Sequence, residues 1–157
     1  MEEFLFQNGC KCPQLQNQIL LVDDDEDDQS IFLAIVEKIR PALKCATAWN
    51  GIDALNIISA SDPLPEMIFL DLNMPLMNGH QFLTEITKDT RLRNIPVIVL
   101  STSSHLPTRE KALLELGAWH FFTKPSSMSD WEEQLRPVLT ARRGMYNSET
   151  VSQKWMM

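Results

Sequence analysis

The sequence predicts an α/β fold, a three-layer sandwich in which a five-stranded parallel sheet lies between two layers of helices. Four short apolar runs are nearly continuous, as in strands that are buried on both faces of a parallel sheet. A fifth, more mixed segment suits a strand near an edge. Helical patterns fill the gaps, and this alternation implies βαβ units with right-handed crossovers. The predicted strands are residues 19–22, 43–49, 67–70, 97–100 and 119–122.

Five helices are predicted from apolar side chains that recur every three or four residues. Pro41 should end the first helix, because the residue before a proline avoids the helical conformation. The dipeptide Asn78-Gly79 introduces the third helix, and Gly117 should close the fourth at its C′ position. The apolar stripes lie within residues 31–39, 54–58, 82–86, 112–116 and 131–138.

The start and end of the fifth helix carry their own signals. A capping box, Ser129-x-x-Glu132, should open this helix by satisfying its first backbone N–H groups. Pro137 falls inside the helical pattern and lacks an N–H group. It should therefore kink the helix or end it early.

Length and composition fit one globular domain. The 157 residues carry a net charge of −7, and 44% of them are hydrophobic. We expect the domain at residues 18–140, between a flexible leader (1–17) and a polar tail (141–157). No basic face indicates nucleic-acid binding, and no apolar run approaches the roughly 20 residues of a membrane span. A signal-peptide pattern is also lacking, so a cytoplasmic location is expected.

Chemically active side chains follow four of the predicted strands. Asp23 and Asp24 end the first strand, Asp71 ends the third, Ser101 ends the fourth, and Lys124 follows the last. The carboxyl ends of parallel strands meet at one edge of the sheet, where ligands bind in folds of this class. We therefore expect three carboxylates, a hydroxyl and an ammonium group to converge there.

This set of groups suits phosphoryl transfer assisted by Mg²⁺. Adjacent carboxylates repel one another, and Mg²⁺ prefers oxygen ligands while keeping several waters. A lysine and a serine can contact further phosphoryl oxygens. One remaining carboxylate would be the nucleophile and would form an acyl phosphate. Catalysis of such a step depends mostly on positioning and on charge neutralisation.

The chain resembles the receiver domain of two-component response regulators over about residues 17–140. The resemblance implies a five-stranded sheet of the flavodoxin-like order 2-1-3-4-5. Four motifs in the family's order carry it: ILLVDD at residues 19–24, IFLDLNMP at 68–75 followed by NG at 78–79, PVIVLS at 96–101, and KP at 124–125.

The resemblance assigns roles to the acidic residues. Asp71 would accept the phosphoryl group. Asp24 and Asp71 would bind Mg²⁺ directly, Asp23 would act largely through water, and Asn73 would offer its backbone carbonyl to the metal. Asn78 stands where the family often has aspartate.

Other roles follow from the same resemblance. Ser101 would bond the phosphoryl group and move inward on activation, and Phe121 holds the aromatic switch position. Lys124 would pair with a phosphoryl oxygen, and its peptide bond to the following proline would be cis. Thr102, which replaces the commoner alanine, would border the path of the hydrolytic water together with two further residues, Asn73 and Ser103.

The implied function is that of a stand-alone phosphoacceptor module, since little chain remains after residue 140 for an output domain. A sensor histidine kinase or a histidine phosphotransfer protein would donate the phosphoryl group. Output would pass to an unidentified downstream protein, and a homodimer through the face of the last two helices is a further expectation. The protein would not be an enzyme, because it would catalyse only its own phosphorylation and dephosphorylation.

Three alternative functions from other classes fit the sequence less well. A degenerate receiver scaffold would typically lack an acidic residue, the acceptor or the lysine, and all are present. An aspartyl-phosphate phosphohydrolase would carry Asp-x-Asp, whereas Asn73 stands two residues after Asp71. A nucleotide-binding protein is disfavoured because no glycine-rich loop follows the first strand.

Several polar and aromatic residues have a structural interpretation. Most of residues 25–28 are expected at a solvated helix N-terminus, where acidic side chains interact favourably with the helix dipole. His80, His105 and His120 show no metal-ligand spacing and are expected on the surface or in loops. Trp119, His120 and Trp131 either form part of a partner surface near the last strand and helix or belong to ordinary packing.

Overall fold

The computed structural model describes residues 18–102 and 115–140, and these form a five-stranded parallel sheet with four helices. All five strands lie within two residues of their predicted bounds. Most of the fourth predicted helix falls in residues 103–114, outside the described part. The elements are β1 Gln18–Val22, α1 Glu26–Ile39, β2 Lys44–Ala48, α2 Gly51–Ser59, β3 Ile68–Asp71, α3 Gly79–Lys88, β4 Val97–Ser101, β5 His120–Thr123 and α4 Met128–Thr140.

The sheet has the strand order β2-β1-β3-β4-β5, which confirms the predicted order. β2 lies at one edge, and its side chains are the most exposed of the five strands, as its mixed composition indicated. β1, β3 and β4 are inner strands and are almost completely buried. In the register, Asp71 lies beside Leu100, and Ser101 lies beside Thr123. The ends of these strands are therefore level with one another.

Each face of the sheet packs against a pair of helices. Leu20 and Val22 of β1 face the side that α2 and α3 cover, whereas Ile19 and Leu21 face α1 and α4. This alternation follows from the two-residue period of a strand. Phe69 of β3 belongs to the second side and contacts a phenylalanine of α1 edge to face, with ring centroids 4.8 Å apart.

The helix ends follow local capping chemistry. Asp25 is the N-cap of α1, and its side chain accepts a hydrogen bond from the backbone N–H of Asp28. α1 ends at Ile39, with Arg40 as its C-cap, immediately before Pro41. The end of the helix at this point fits the stop predicted from Pro41.

Asn78 caps α3, and Gln81 completes a capping box with it. The helix predicted to end at Gly117 lies mostly outside the described residues. Gly117 itself has a φ of 76°, the left-handed conformation that suits glycine after a helix.

α4 departs from the prediction at both ends. It begins at Met128, and the side chain of Ser127 caps it by accepting a hydrogen bond from the N–H of Asp130 at 3.2 Å. The predicted capping box at Ser129 is therefore wrong, because Ser127 already occupies that role two residues earlier. α4 also continues past Pro137 to Thr140. Of the two outcomes predicted for Pro137, the early end is wrong, since buried residues after the proline keep the last turn packed against the sheet. The kink stays a prediction.

Within residues 18–102 and 115–140, none of the helices has the length and apolar character needed to cross a membrane.

Candidate functional site

The predicted polar residues do converge at the carboxyl edge of the sheet. Asp23 directly follows β1, Asp71 and Ser101 are the last residues of β3 and β4, and Lys124 directly follows β5. Asp23 and Asp71 are buried, with exposures of 1% and 5%, and Ser101 is fully buried. Asp24 is exposed to solvent. The parallel topology thus brings together residues that are far apart in sequence.

Three carboxylates form a group that could hold a metal ion. Asp23, Asp24 and Asp71 each offer one oxygen atom, and these atoms all lie within 4.8 Å of one another. Oxygen ligands of this kind suit Mg²⁺, which binds few protein carboxylates and keeps waters. Two of the three carboxylates are buried, and a buried charge is costly unless it is paired. A cation bound among them would reduce this cost. The donor set therefore fits the metal that the sequence predicted.

Lys124 is the cation of the site. Its Nζ lies 2.7 Å from Oδ2 of Asp23, 2.8 Å from Oδ2 of Asp28 and 3.5 Å from Oδ2 of Asp71. The side chain is only 6% exposed, and its backbone N–H donates to the carbonyl of Ser101 at 2.7 Å. The lysine is therefore anchored to β4 while its ammonium group neutralises part of the acidic cluster.

Backbone and amide groups hold the two buried carboxylates in place. Oδ1 of Asp23 accepts the N–H of Asp25 at 2.9 Å, and the side-chain amide of Gln29 donates to the carbonyl of Asp23 at 2.6 Å. Oδ1 of Asp71 accepts the N–H of Asn73 at 3.2 Å. One oxygen of each carboxylate is thus committed to the backbone, while the other faces Lys124.

Gly79 shapes the site, although the sequence had identified it only as the start of a helix and as part of a family motif. Its N–H donates to the carbonyl of Leu72 at 3.0 Å. A Cβ atom at this position would lie 2.6 Å from the carbonyl oxygen of Asp71 and 2.7 Å from Cα of Leu72. Real Cβ atoms do not approach backbone atoms this closely, so only glycine lets α3 begin against the strand that carries Asp71.

The remaining predicted site residues differ in their exposure to solvent. Thr102 is exposed immediately after buried Ser101, and Asn73 is exposed two residues after Asp71. Phe121 is buried at 5% exposure, on the sheet face that α2 and α3 cover. Ser103 lies outside the described residues.

Two predictions about neighbouring residues are wrong. The bond between Lys124 and Pro125 is trans, because the cis peptide bonds of the described residues comprise only Asp62–Pro63; the tertiary amide of an X–Pro bond still favours trans. His120 is not a surface residue: it is buried in β5, and its ring contacts Phe122 edge to face at 4.5 Å.

The solvated helix N-terminus predicted for most of residues 25–28 is confirmed, since three of these four residues are exposed. Asp28 has a further role that the sequence did not reveal: it pairs with Lys124, and its side chain is 23% exposed. A usable signal was present, since α1 begins beside the carboxyl edge and Asp28 lies in its first turn. Of the two tryptophans with open assignments, Trp131 is buried in the core and Trp119 is partly exposed.

Burial and charge change the proton affinities of the site. Burial raises the pKa of Asp71 from its ordinary value of 3.8 to about 6, although the ammonium of Lys124 works in the opposite direction. Burial also raises the pKa of Asp23. Burial alone would lower the pKa of Lys124, but its hydrogen bonds to Asp23 and Asp28 raise it above its usual value. Lys124 is therefore charged throughout the neutral range.

A prediction about pH follows from Asp71. Its raised pKa means that the folded protein holds this proton up to higher pH than the unfolded chain does. The free energy of unfolding of the metal-free protein should therefore fall as pH rises from about 4 to about 6. Asp71→Asn lacks this group, so it should gain about 1–3 kcal/mol relative to wild type over that range, after allowance for solvent screening. Urea unfolding in chelator-treated buffer measures the difference, and a difference that is constant with pH would contradict the assignment.

Comparison with known proteins agrees with this geometry. A family model described as the response regulator receiver domain matches residues 19–136. The two-component response regulator ORR11 of Oryza sativa subsp. indica is 34% identical over 121 residues, which cover 77% of this chain and 80% of that protein.

Two solved structures extend the similarity to three dimensions. The phosphorylated cyanobacterial phytochrome response regulator RcpA has a TM-score of 0.69 and 27% identity, with coverage of 78% of this chain and 91% of that chain. The Mn²⁺-bound form of response regulator Rcp1 has a TM-score of 0.70 and 26% identity, with the same coverage. The family match, the relative and the strand order together show that the chain belongs to the response regulator receiver domain family.

Proposed function

We propose that the protein accepts a phosphoryl group on Asp71, with the help of Mg²⁺, from a phosphohistidine on a sensor histidine kinase or a histidine phosphotransfer protein. The observation that carries this proposal is the position of Asp71. Its carboxylate lies at the edge of the sheet, within the three-carboxylate group and 3.5 Å from the ammonium of Lys124. A nucleophile, candidate metal ligands and a phosphate-binding cation thus share one place.

The transfer replaces one phosphorus bond by another. A carboxylate oxygen of Asp71 forms a bond to phosphorus while the bond between phosphorus and the donor imidazole nitrogen breaks. The electron pair of the broken bond stays on that nitrogen, and the product is an acyl phosphate. Asp71 must be ionised to attack, and a pKa of about 6 leaves it mostly ionised near neutral pH.

The metal would be held by Asp23, Asp24 and Asp71, and Asn73 would add its backbone carbonyl. When bound, Mg²⁺ would neutralise charge on the phosphoryl group and on the carboxylates. The chemistry of the three-carboxylate group supports this part of the proposal. Support also comes from the Mn²⁺-bound form of Rcp1, a relative of similar fold.

Lys124 and Ser101 would receive the transferred group. Lys124 carries a positive charge and can move by rotation of its long side chain, so it can bind a phosphoryl oxygen. The hydroxyl of Ser101 can donate a hydrogen bond to another. Inward movement of Ser101 would then be coupled to the aromatic ring of Phe121, on the neighbouring strand, as the switch to the active state. We note that Phe121 is buried in the described conformation.

The protein would catalyse only its own phosphorylation and dephosphorylation, in the cytoplasm. It would pass its signal on by contact with a downstream protein. Asn73 supports this view over a phosphohydrolase, because an amide cannot serve as the second acid of an Asp-x-Asp motif. A homodimer through the last two helices stays a prediction, since the first of them lies mostly outside the described residues.

The acceptor is tested by Asp71→Asn. An amide has nearly the shape of a carboxylate but is a far weaker nucleophile, so the variant should fold and should gain no phosphoryl group. Both proteins are treated with acetyl phosphate and Mg²⁺, and their intact masses are measured. The wild type should gain one phosphoryl group per chain. A variant that gains a phosphoryl group of normal lability would show that Asp71 is not the acceptor.

A second prediction concerns how long the phosphorylated state lasts. By resemblance to the family, Thr102, Asn73 and Ser103 border the path of the water that hydrolyses the acyl phosphate. None of them is a carboxylate that could act as a base, and the β-branched side chain of Thr102 is stiff. We therefore expect slow self-dephosphorylation.

Thr102→Ala should widen this path and speed hydrolysis severalfold, with little change in Mg²⁺ affinity, because Thr102 is exposed and lies outside the three-carboxylate group. Phosphate release from the two phosphorylated proteins measures the effect. Equal or slower release from Thr102→Ala would end the gating idea, but would leave the acceptor assignment intact.

A further inference from the structure

The ion pair between Lys124 and Asp28 has no part in the proposed transfer. Nζ of Lys124 lies 2.8 Å from Oδ2 of Asp28, but 3.5 Å from Oδ2 of Asp71. The ammonium group is therefore closer to a carboxylate of α1 than to the acceptor whose phosphoryl group it is expected to bind. A phosphoryl group on Asp71 would therefore compete with Asp28 for the same ammonium group.

Both partners of this ion pair are fixed by other contacts. The N–H of Asp28 donates to Oδ1 of its helix cap, Asp25, at 3.0 Å. The next residue, Gln29, is buried and donates to the carbonyl of Asp23. Lys124 is anchored through its backbone bond to Ser101. A surface ion pair loses side-chain entropy when it forms, whereas the two side chains of this pair are mostly buried, at 6% and 23% exposure, and belong to segments that other contacts hold in place.

Metal binding would leave the Asp28 contact in place. Asp23, the other close partner of Lys124, belongs to the three-carboxylate group and would share its charge with a cation. Asp28 is not a member of that group. Once a cation occupies the group, Asp28 remains as an anion that competes with the phosphoryl group for Lys124.

We propose that Asp28 is a positioning residue that acts through Lys124: it restrains the ammonium group away from Asp71 and so slows phosphorylation. This inference rests on the proposed function, because it concerns the rate of phosphoryl transfer to Asp71. Asp28 makes no contact with the reacting atoms. Its effect is to lower the fraction of molecules in which Lys124 is free to neutralise the incoming phosphoryl oxygens.

The test is the rate of phosphorylation by acetyl phosphate at saturating Mg²⁺ in the full chain. Asp28→Asn keeps the shape of the side chain and removes its charge. We expect it to react roughly fivefold faster than wild type, the scale that corresponds to the loss of one ion pair of modest strength. The Mg²⁺ affinity of each variant is measured in parallel and should change much less than the rate.

Two further variants separate this mechanism from its alternatives. Asp27→Asn makes the same change of charge one residue earlier, on an exposed side chain that is not among the partners of Lys124. It should react at the wild-type rate. Asp28→Glu restores a carboxylate and should return most of the slow wild-type rate, which a purely structural role of the aspartate would not predict.

Each outcome decides the question. Equal acceleration in Asp27→Asn would show an effect of net charge alone and would overturn the inference. An unchanged or slower Asp28→Asn, or an Asp28→Glu as fast as Asp28→Asn, would also overturn it. If the variants contradict the inference but the wild type is phosphorylated normally, the proposed function still stands. A wild type that gains no phosphoryl group would contradict the proposed function itself.

Discussion

The interaction on which the site depends is the attraction between one buried ammonium group and the carboxylates around it. Nζ of Lys124 contacts Asp23 and Asp28 and lies near Asp71, and two of these carboxylates are almost fully buried. A buried charge is costly unless it is paired. Lys124 supplies one positive charge for several negative ones, so the pairing is incomplete. The remaining negative charge favours the binding of a cation, so the same buried charges that are costly for the fold make the site suitable for a metal ion.

The fold keeps these groups at the positions that the attraction requires. β3, β4 and β5 are parallel and in register, so they end at the same edge of the sheet. The hydrogen bond from the backbone N–H of Lys124 to the carbonyl of Ser101 links the ends of β4 and β5. On the other side of Asp71, Gly79 lets α3 start within contact distance of the strand that ends in Asp71. A larger residue there would move the backbone of Asp71, so the shape of the site depends on a residue that carries no chemistry.

Much of this could be predicted from the sequence, because the dominant signals are local or follow from topology. The apolar runs predicted the strands. The polar residues after these runs predicted the site, because the carboxyl ends of parallel strands share one edge of the sheet. Asp28 could not be assigned in the same way. Its pairing depends on how α1 is oriented beside β1, and the helix dipole offered a sufficient local reason for its charge.

Two predictions failed for different reasons. Two serines two residues apart, Ser127 and Ser129, can each cap a helix, and only the packing of α4 decides between them. His120 was expected on the surface or in a loop because the histidines show no metal-ligand spacing, although the apolar run at residues 119–122 predicted a strand there. Its position in β5 buries it beside Phe122.

The central claim is that the acidic group at the sheet edge is a divalent-cation site, and thermal unfolding with and without Mg²⁺ tests it most directly. A cation that binds only the folded protein stabilises it by mass action. The melting temperature of the wild type should therefore rise as Mg²⁺ is added. Asp24→Ala removes the exposed member of the three-carboxylate group, and this variant should lose most of the rise. An equal rise in both proteins, or none in the wild type, would contradict the account.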